Sequence, residues 1–334
     1  MEILIYSYLM ESSVLFLVVL IFGSLLALSK GADVLVDNSV GLSLKWGISK
    51  MVVGATIISL GTTLPEITVS VSSSISGNPD LALGNAIGSI IVNTGLIIGI
   101  ASMVGSLPVE KGIMGRQLRL QLISGFLLAA VSLPFLHKGN GGTITRGTGV
   151  FFLVLLFFYI VSSIRFAGKP DSGGQRGFVE HKASFPMIIK IILGLLLVFT
   201  SSKILIPCVE IMALRFGIPQ SVIAATLVAL GTSLPELVTA VTASRKGYGE
   251  LALGNVMGAN VLNVIFVVGG AAAVSKNGLP VPINFYRLEI PVMLLLIVAF
   301  TVFAKNKDAV ISKREGIFLA GIYFIYFLLN YSWV

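Results

Sequence analysis

One forty-residue stretch of this chain recurs, in altered form, further along it. Residues 54–93 align without a gap on 224–263 at a constant offset of 170, and 18 of the 40 positions are identical. The shared positions include Gly61/Gly231, Pro65/Pro235, Glu66/Glu236, Gly84/Gly254, Asn85/Asn255, Gly88/Gly258 and Asn93/Asn263. Chance resemblance between two apolar segments would match Leu, Ile and Val. A polar and Gly/Pro skeleton marks an internal duplication.

The duplicated segments lie in a chain built for lipid. It has 334 residues, 55% hydrophobic and 11% charged, with a mean hydropathy of +0.98, which excludes a water-soluble fold of this length. At about 20 apolar residues per crossing, the sequence predicts an all-α polytopic membrane protein of about ten transmembrane helices, near 12–36, 48–74, 81–104, 117–136, 147–166, 186–212, 219–244, 251–274, 286–304 and 315–333. The leader from Met1 to Met10 carries Glu2 and no basic residue, so the first apolar segment is expected to be a span and not a signal peptide. A single cysteine, Cys208, excludes a disulfide framework and reads as packing. Two histidines, His137 and His181, both near loops, exclude a histidine-rich metal site.

Basic residues set the expected orientation. With the N-terminus outside, Lys45, Lys50, Lys111, Arg116, Arg119, Arg165, Lys169, Arg176, Lys182, Lys190, Arg245, Lys246, Lys305, Lys307, Lys313 and Arg314 all fall on the cytoplasmic side, and few remain outside. This positive-inside bias accounts for the net charge of +8 without any nucleic-acid partner. It orients a multi-pass protein, expected in the cell (plasma) membrane, with the 168–184 loop in the cytoplasm. That Gly-rich polar loop reads as a linker between a first repeat, 1–167, and a second, 185–334. The first copy of the duplication begins on span 2 and the second on span 7. An odd number of spans separates them, so the two five-helix repeats run through the membrane in opposite directions, the architecture of secondary transporters with a midplane site.

Each copy brings chemistry to that midplane. A carboxylate inside a bilayer helix is costly unless something polar or charged meets it, so Glu66 and Glu236 are candidate site residues by position alone. Pro65 lacks an N–H, leaves the Gly61 carbonyl without its helical donor and predicts a kink there; Gly231 and Pro235 repeat it. Carbonyls, the hydroxyls of Thr62, Thr63, Thr232 and Ser233, and two carboxylates then converge on an oxygen cage of the kind that suits a hard cation. The second element of each copy sets Asn85, Ser89 and Asn93 on one helix face, mirrored by Asn255, Ala259 and Asn263. Gly84/Gly88 and Gly254/Gly258 form small-residue pairs that let another helix approach. Asn85 and Asn255 fit interhelical hydrogen bonding as well as a site role. Lys30 and Lys203 read as interfacial, Lys30 with Asp33 one turn away.

At Gly61-Thr-Thr-Leu-Pro-Glu66 and Gly231-Thr-Ser-Leu-Pro-Glu236 the chain resembles the Ca2+/cation antiporter superfamily, which includes the Na+/Ca2+ exchangers, in its prokaryotic branch. The resemblance covers essentially the whole chain. It implies an antiporter, not an enzyme, that moves Ca2+ against Na+ by alternating access, with spans 1 and 6 sliding over a core of spans 2, 3, 7 and 8. Transported ions would be its only cofactors. Carried over by position, calcium would be held by the carboxylates of Glu66 and Glu236 and the main-chain carbonyls of Thr62 and Thr232. Sodium would share the glutamates and add Ser89, Ser233 and the carbonyls of Ser59 and Ala229, while Asn93 and Asn263 would hold the central position with water. Two departures stand out: Ala259 replaces a serine found in several members, and Asn263 stands where some archaeal exchangers carry aspartate. A proton- or potassium-coupled exchanger of the same superfamily and, in another class, a passive cation channel are the alternative readings. Oligomeric state is left open, a monomer being sufficient.

Overall fold

The computed structural model describes residues 2–109, 111–134, 141–165, 184–217, 229–306 and 309–332. His137, His181, most of the 168–184 linker and the first part of span 7 lie outside the described residues. A short helix, α1 (Glu2–Glu11), precedes α2 (Val14–Trp46), whose first turn is capped by Ser13 accepting from the N–H of Phe16 at 3.2 Å. Helix α3 (Lys50–Thr62) is followed after one residue by α4 (Leu64–Ile75), and the pair is bent by 42°. Then come α5 (Pro79–Val104), α6 (Lys111–Ser132), α7 (Arg146–Arg165), α8 (Phe185–Arg215), α9 (Ala229–Thr232), α10 (Leu234–Arg245), α11 (Gly249–Val274), α12 (Phe285–Ala304) and α13 (Lys313–Ser332). Gly77 and Gly247, 170 apart, both take positive φ, 86° and 77°, in the tight turns leading into α5 and α11.

The described helices occupy all ten expected spans. Six of them are long and apolar enough to cross a membrane, and the bent α3–α4 pair makes a seventh. Helices α6 and α13 open on charged turns, with Arg116 and Arg119 in one and Lys313, Arg314 and Glu315 in the other. Two boundaries differ from the sequence expectation. Helix α2 runs to Trp46, ten residues beyond 36, and α6 starts at Lys111, before 117. Hydropathy falls off where charges accumulate, whereas the helical backbone continues to a terminator, for α2 the left-handed Gly47 at φ 64°. Within α2, Asp33 and Asp37 pair with Lys246 (below).

Helices α5 and α11 form the centre: 72% and 94% of their most apolar windows are buried, against 22% for α2. The two halves interlock around them. Gly99 of α5 packs on Gly316 and Ala320 of α13, while Gly269 of α11, 170 residues on, packs on Gly149 and Phe152 of α7. Small residues permit such close backbone approach where no hydrophobic effect draws helices together. The loops repeat the exchange. Strand β1 (Leu107–Pro108), after span 3, pairs antiparallel with β4 (Val310–Ile311), before span 10. Strand β2 (Gly142–Ile144), before span 5, pairs with β3 (Leu279–Val281), after span 8. Outside this core, α2 and α8 form the most extensively packed helix pair of the described residues, with Gly31 set against Val198 and Gly194 against Leu35.

Candidate functional site

Each half contributes one broken helix. The interruption falls at Thr63 and at Ser233, not at the preceding glycines. Pro65 and Pro235 lie in the first turn of α4 and α10, where a missing N–H costs nothing. The proline therefore starts a second helix instead of kinking a single one, and the carbonyl of Ser59 keeps its bond from the Thr63 N–H at 2.9 Å. Glu66 and Glu236 fall one residue later in those first turns, where the positive end of the helix dipole favours a carboxylate.

The two breaks are wired to each other. The hydroxyl of Ser233 donates to Glu66 Oε1 at 3.4 Å, and that of Thr63 donates to Glu236 Oε1 at 3.5 Å. One residue back, Thr62 donates to Asn255 Oδ1 at 3.3 Å and Thr232 to Asn85 Oδ1 at 3.0 Å. Every one of these bonds joins the halves, and each has its partner at the 170-residue offset. Asn85 also donates to the carbonyl of Glu66 at 3.3 Å and to Ser70 Oγ at 3.0 Å. It is thus a positioning residue for the Glu66 turn. Among the described residues Asn255 Nδ2 has no protein partner, and Ala240, where the first half has Ser70, removes one of the two equivalent acceptors.

What remains at the centre is a set of buried polar atoms without protein partners. Glu66 Oε2, Glu236 Oε2, Ser89 Oγ and both amide atoms of Asn93 and Asn263 have none, and all five residues are at most 1% exposed. A buried polar atom left unsatisfied costs about 1–3 kcal/mol, more if charged; the oxygens of this set call for a cation or a donor, and the two amide Nδ2 groups for an acceptor such as water. The donor set is carboxylate, amide and hydroxyl oxygen, which fits a hard cation. Among the described residues no group of three or more His, Cys, Asp or Glu converges, so two carboxylates are the full anionic charge there.

The expected site residues are placed as follows. Ser59, Thr62, Glu66, Ser89, Asn93, Ser233, Glu236 and Asn263 are buried in spans 2, 3, 7 and 8, and Thr232 is half-buried. Ala229 opens α9, where its backbone alone is described. Ala259 is fully buried, so the second half offers no hydroxyl opposite Ser89. Packing governs the second-copy glycines: a Cβ on Gly254 would lie 2.2 Å from the Met51 carbonyl oxygen, and one on Gly258 2.6 Å from Ala55 Cα. The segment that would face Gly84 and Gly88 by symmetry lies outside the described residues. Ser70 and Thr239 were not among the sequence candidates, though both are buried and Ser70 accepts from Asn85. Their spacing, four residues after Glu66 and three after Glu236, places each on its glutamate's face and was the available signal.

The family model described as "Sodium/calcium exchanger protein" matches residues 16–165 and 187–332. The chain belongs to the sodium/calcium exchanger family. The family is one of transporters, not enzymes, and this member is a helical membrane protein of the cation/Ca2+ exchanger class. Similar proteins include the inner membrane protein YrbG of Escherichia coli (strain K12), 30% identical over 320 residues that cover 93% of this chain and 96% of the relative. The sodium/calcium exchanger MaX1 of Methanosarcina acetivorans is 28% identical, with 92% and 96% covered. Among solved structures, that of the sodium-calcium exchanger NCX_Mj soaked with 10 mM Na+ and zero Ca2+ matches with a TM-score of 0.80 at 26% identity, covering 94% of this chain and 98% of that one.

Proposed function

We propose that this exchanger carries Ca2+ in one direction and Na+ in the other by alternating access, with both ions bound at the midplane between the two helix breaks. The observation that carries the reading is the reciprocal wiring of Glu66 to Ser233 and of Glu236 to Thr63, with the second oxygen of each carboxylate buried and unpartnered. Calcium would take Glu66 and Glu236 with the carbonyls of Thr62 and Thr232. Sodium would use the same glutamates with Ser89, Ser233 and the carbonyls of Ser59 and Ala229, and Asn93 and Asn263 would complete the centre through water. Two carboxylates neutralise one Ca2+ or two Na+, which makes the two loads competitors for one charge balance. A channel would have little use for a duplicated site closed between interlocked halves. Calcium efflux from reconstituted vesicles that saturates and requires a counter-ion separates exchange from passive conduction.

Ala259 favours a second reading, coupling to protons, because the second half lacks a hydroxyl for sodium. Restoring it tests the choice. Ala259→Ser is expected to lower the sodium concentration for half-maximal calcium release several-fold, since an added hydroxyl ligand contributes about 1 kcal/mol. Calcium affinity should change little. An unchanged sodium midpoint, or release indifferent to sodium, would favour protons.

We further propose residues 1–167 and 185–334 as the two repeats, joined by a cytoplasmic 168–184 loop in the plasma membrane. A cysteine introduced within 170–182 is expected to react with an impermeant maleimide from the cytoplasm only, and one within 138–142 from outside only. Reversed labelling would invert the orientation, and equal sidedness would break the ten-span topology.

A further inference from the structure

Lys246, in the turn between α10 and α11, reaches across to α2. Its Nζ lies 2.9 Å from Asp33 Oδ1 and 2.8 and 2.9 Å from the two carboxylate oxygens of Asp37, one turn further along the same helix. These groups line a cleft of about 490 Å³ together with Lys30, Asn38 and, from α8, Lys190. The cleft therefore sits where the α2–α8 pair meets the core.

Among the described residues the contact has no mirror image at the positions related by the offset. Under the 170-residue offset Lys246 corresponds to Ser76, Asp33 to Lys203 and Asp37 to Pro207, so the opposite face of the molecule carries no equivalent ion pair between those positions. Packing is unequal in the same sense. Helix α2 lies along α10, while the symmetry-related α8 and α4 make no packing of comparable extent. An inverted repeat can exchange the conformations of its halves, and the exchanged state would lift α2 from α10 and bring α8 onto α4. Three short charge-assisted contacts would break in that motion, and the offset-related Ser76, Lys203 and Pro207 would form no such carboxylate–ammonium pair in exchange.

We infer that Lys246 with Asp33 and Asp37 is an ionic latch that holds α2 on the core and biases the exchanger toward the conformation closed on the Lys246 face. The inference rests on the alternating-access reading above. Lys246 touches no transported ion in this scheme; it is a positioning residue that sets the ratio of the two conformations. The side chains are 29%, 38% and 57% exposed for Lys246, Asp33 and Asp37, so solvent screens the latch and its effect is modest. Because a ligand's apparent affinity scales with the fraction of protein in the competent state, the ratio of half-saturating Ca2+ on the Lys246 face to that on the opposite face reports the conformational ratio.

Lys246→Glu is expected to lower that ratio about three- to fivefold. The exchanged pair Lys246→Asp with Asp37→Lys should restore it. Lys246→Gln serves if the reversed charge fails to assemble. Spin labels at Leu44 and Arg245, both exposed, in a Cys208→Ala background give a readout without transport. In ion-free lipid, loss of Lys246 should add a longer-distance population that the exchanged pair removes. An unchanged distance distribution, or a Ca2+ ratio that shifts but is not rescued by the exchanged pair, would overturn the latch. A shifted distance in a protein whose wild type carries no calcium would instead overturn the exchanger reading and leave the latch standing.

Discussion

Glu66→Gln and Glu236→Gln, made singly, are each expected to abolish calcium transport in a protein that still folds. At an effective dielectric of about 20, one carboxylate about 4 Å from a divalent ion contributes roughly 8 kcal/mol of attraction before desolvation is subtracted. If only a quarter of that survives as net binding, losing it weakens affinity by about 30-fold. In the proposed scheme the ion fills both halves of the site, so flux should fall further than affinity. Folding should survive because glutamine keeps the shape, removes a buried charge and can still accept from Ser233 or Thr63, which hold Oε1 of each glutamate. Vesicle calcium flux together with a monodisperse elution profile checks both halves of the statement. Near-normal flux in either variant would remove these motifs from the site.

Gly254→Val should cost the protein its assembly rather than its chemistry. A Cβ at Gly254 would stand 2.2 Å from the Met51 carbonyl oxygen and 2.9 Å from its carbon, both backbone atoms in α3 that cannot rotate away. Overpacking a close-packed contact costs about 1–3 kcal/mol or more, and here it would push α3 off α11 where Thr62 meets Asn255. We expect a thermal midpoint lowered by several degrees and a clear loss of monodisperse protein. Gly23→Val is the control, since a Cβ there has no neighbour within 4 Å. Equal stability of the two variants would contradict the interlocked core.

The fold was readable because lipid leaves few options. Ten apolar stretches and a duplication offset by an odd number of spans allow little besides inverted repeats, and the described helices follow them. Pro65 was readable as a disruption but its form was not. The same residue kinks a helix from within or starts one from its first turn, and that choice depends on the Thr63 backbone, which settles at ψ 0°. The π-helical turns at Val92–Ile97 and Asn263–Val268 left no trace in hydropathy. Asn93 and Asn263 fall in those turns, which re-aim side chains that a regular helix would place differently. At the candidate site, sequence singled out Glu66 and Glu236 by the cost of burying them. It could not say that Thr63 would serve Glu236 and Ser233 serve Glu66, because those bonds link residues 173 and 167 positions apart. The length of α2 was hidden for a related reason: hydropathy falls off past Asp33 and Asp37, while the helix runs on to Trp46, where Gly47 in the left-handed region (φ 64°) ends it.

Calcium uptake into proteoliposomes of the full chain, with sodium, potassium or proton gradients imposed one at a time, tests the central claim most directly. An outward sodium gradient should drive saturable calcium uptake, with the other two gradients ineffective and Glu66→Gln and Glu236→Gln inert. Uptake that follows only a proton gradient, or that proceeds with no counter-ion, would contradict sodium–calcium exchange at this site.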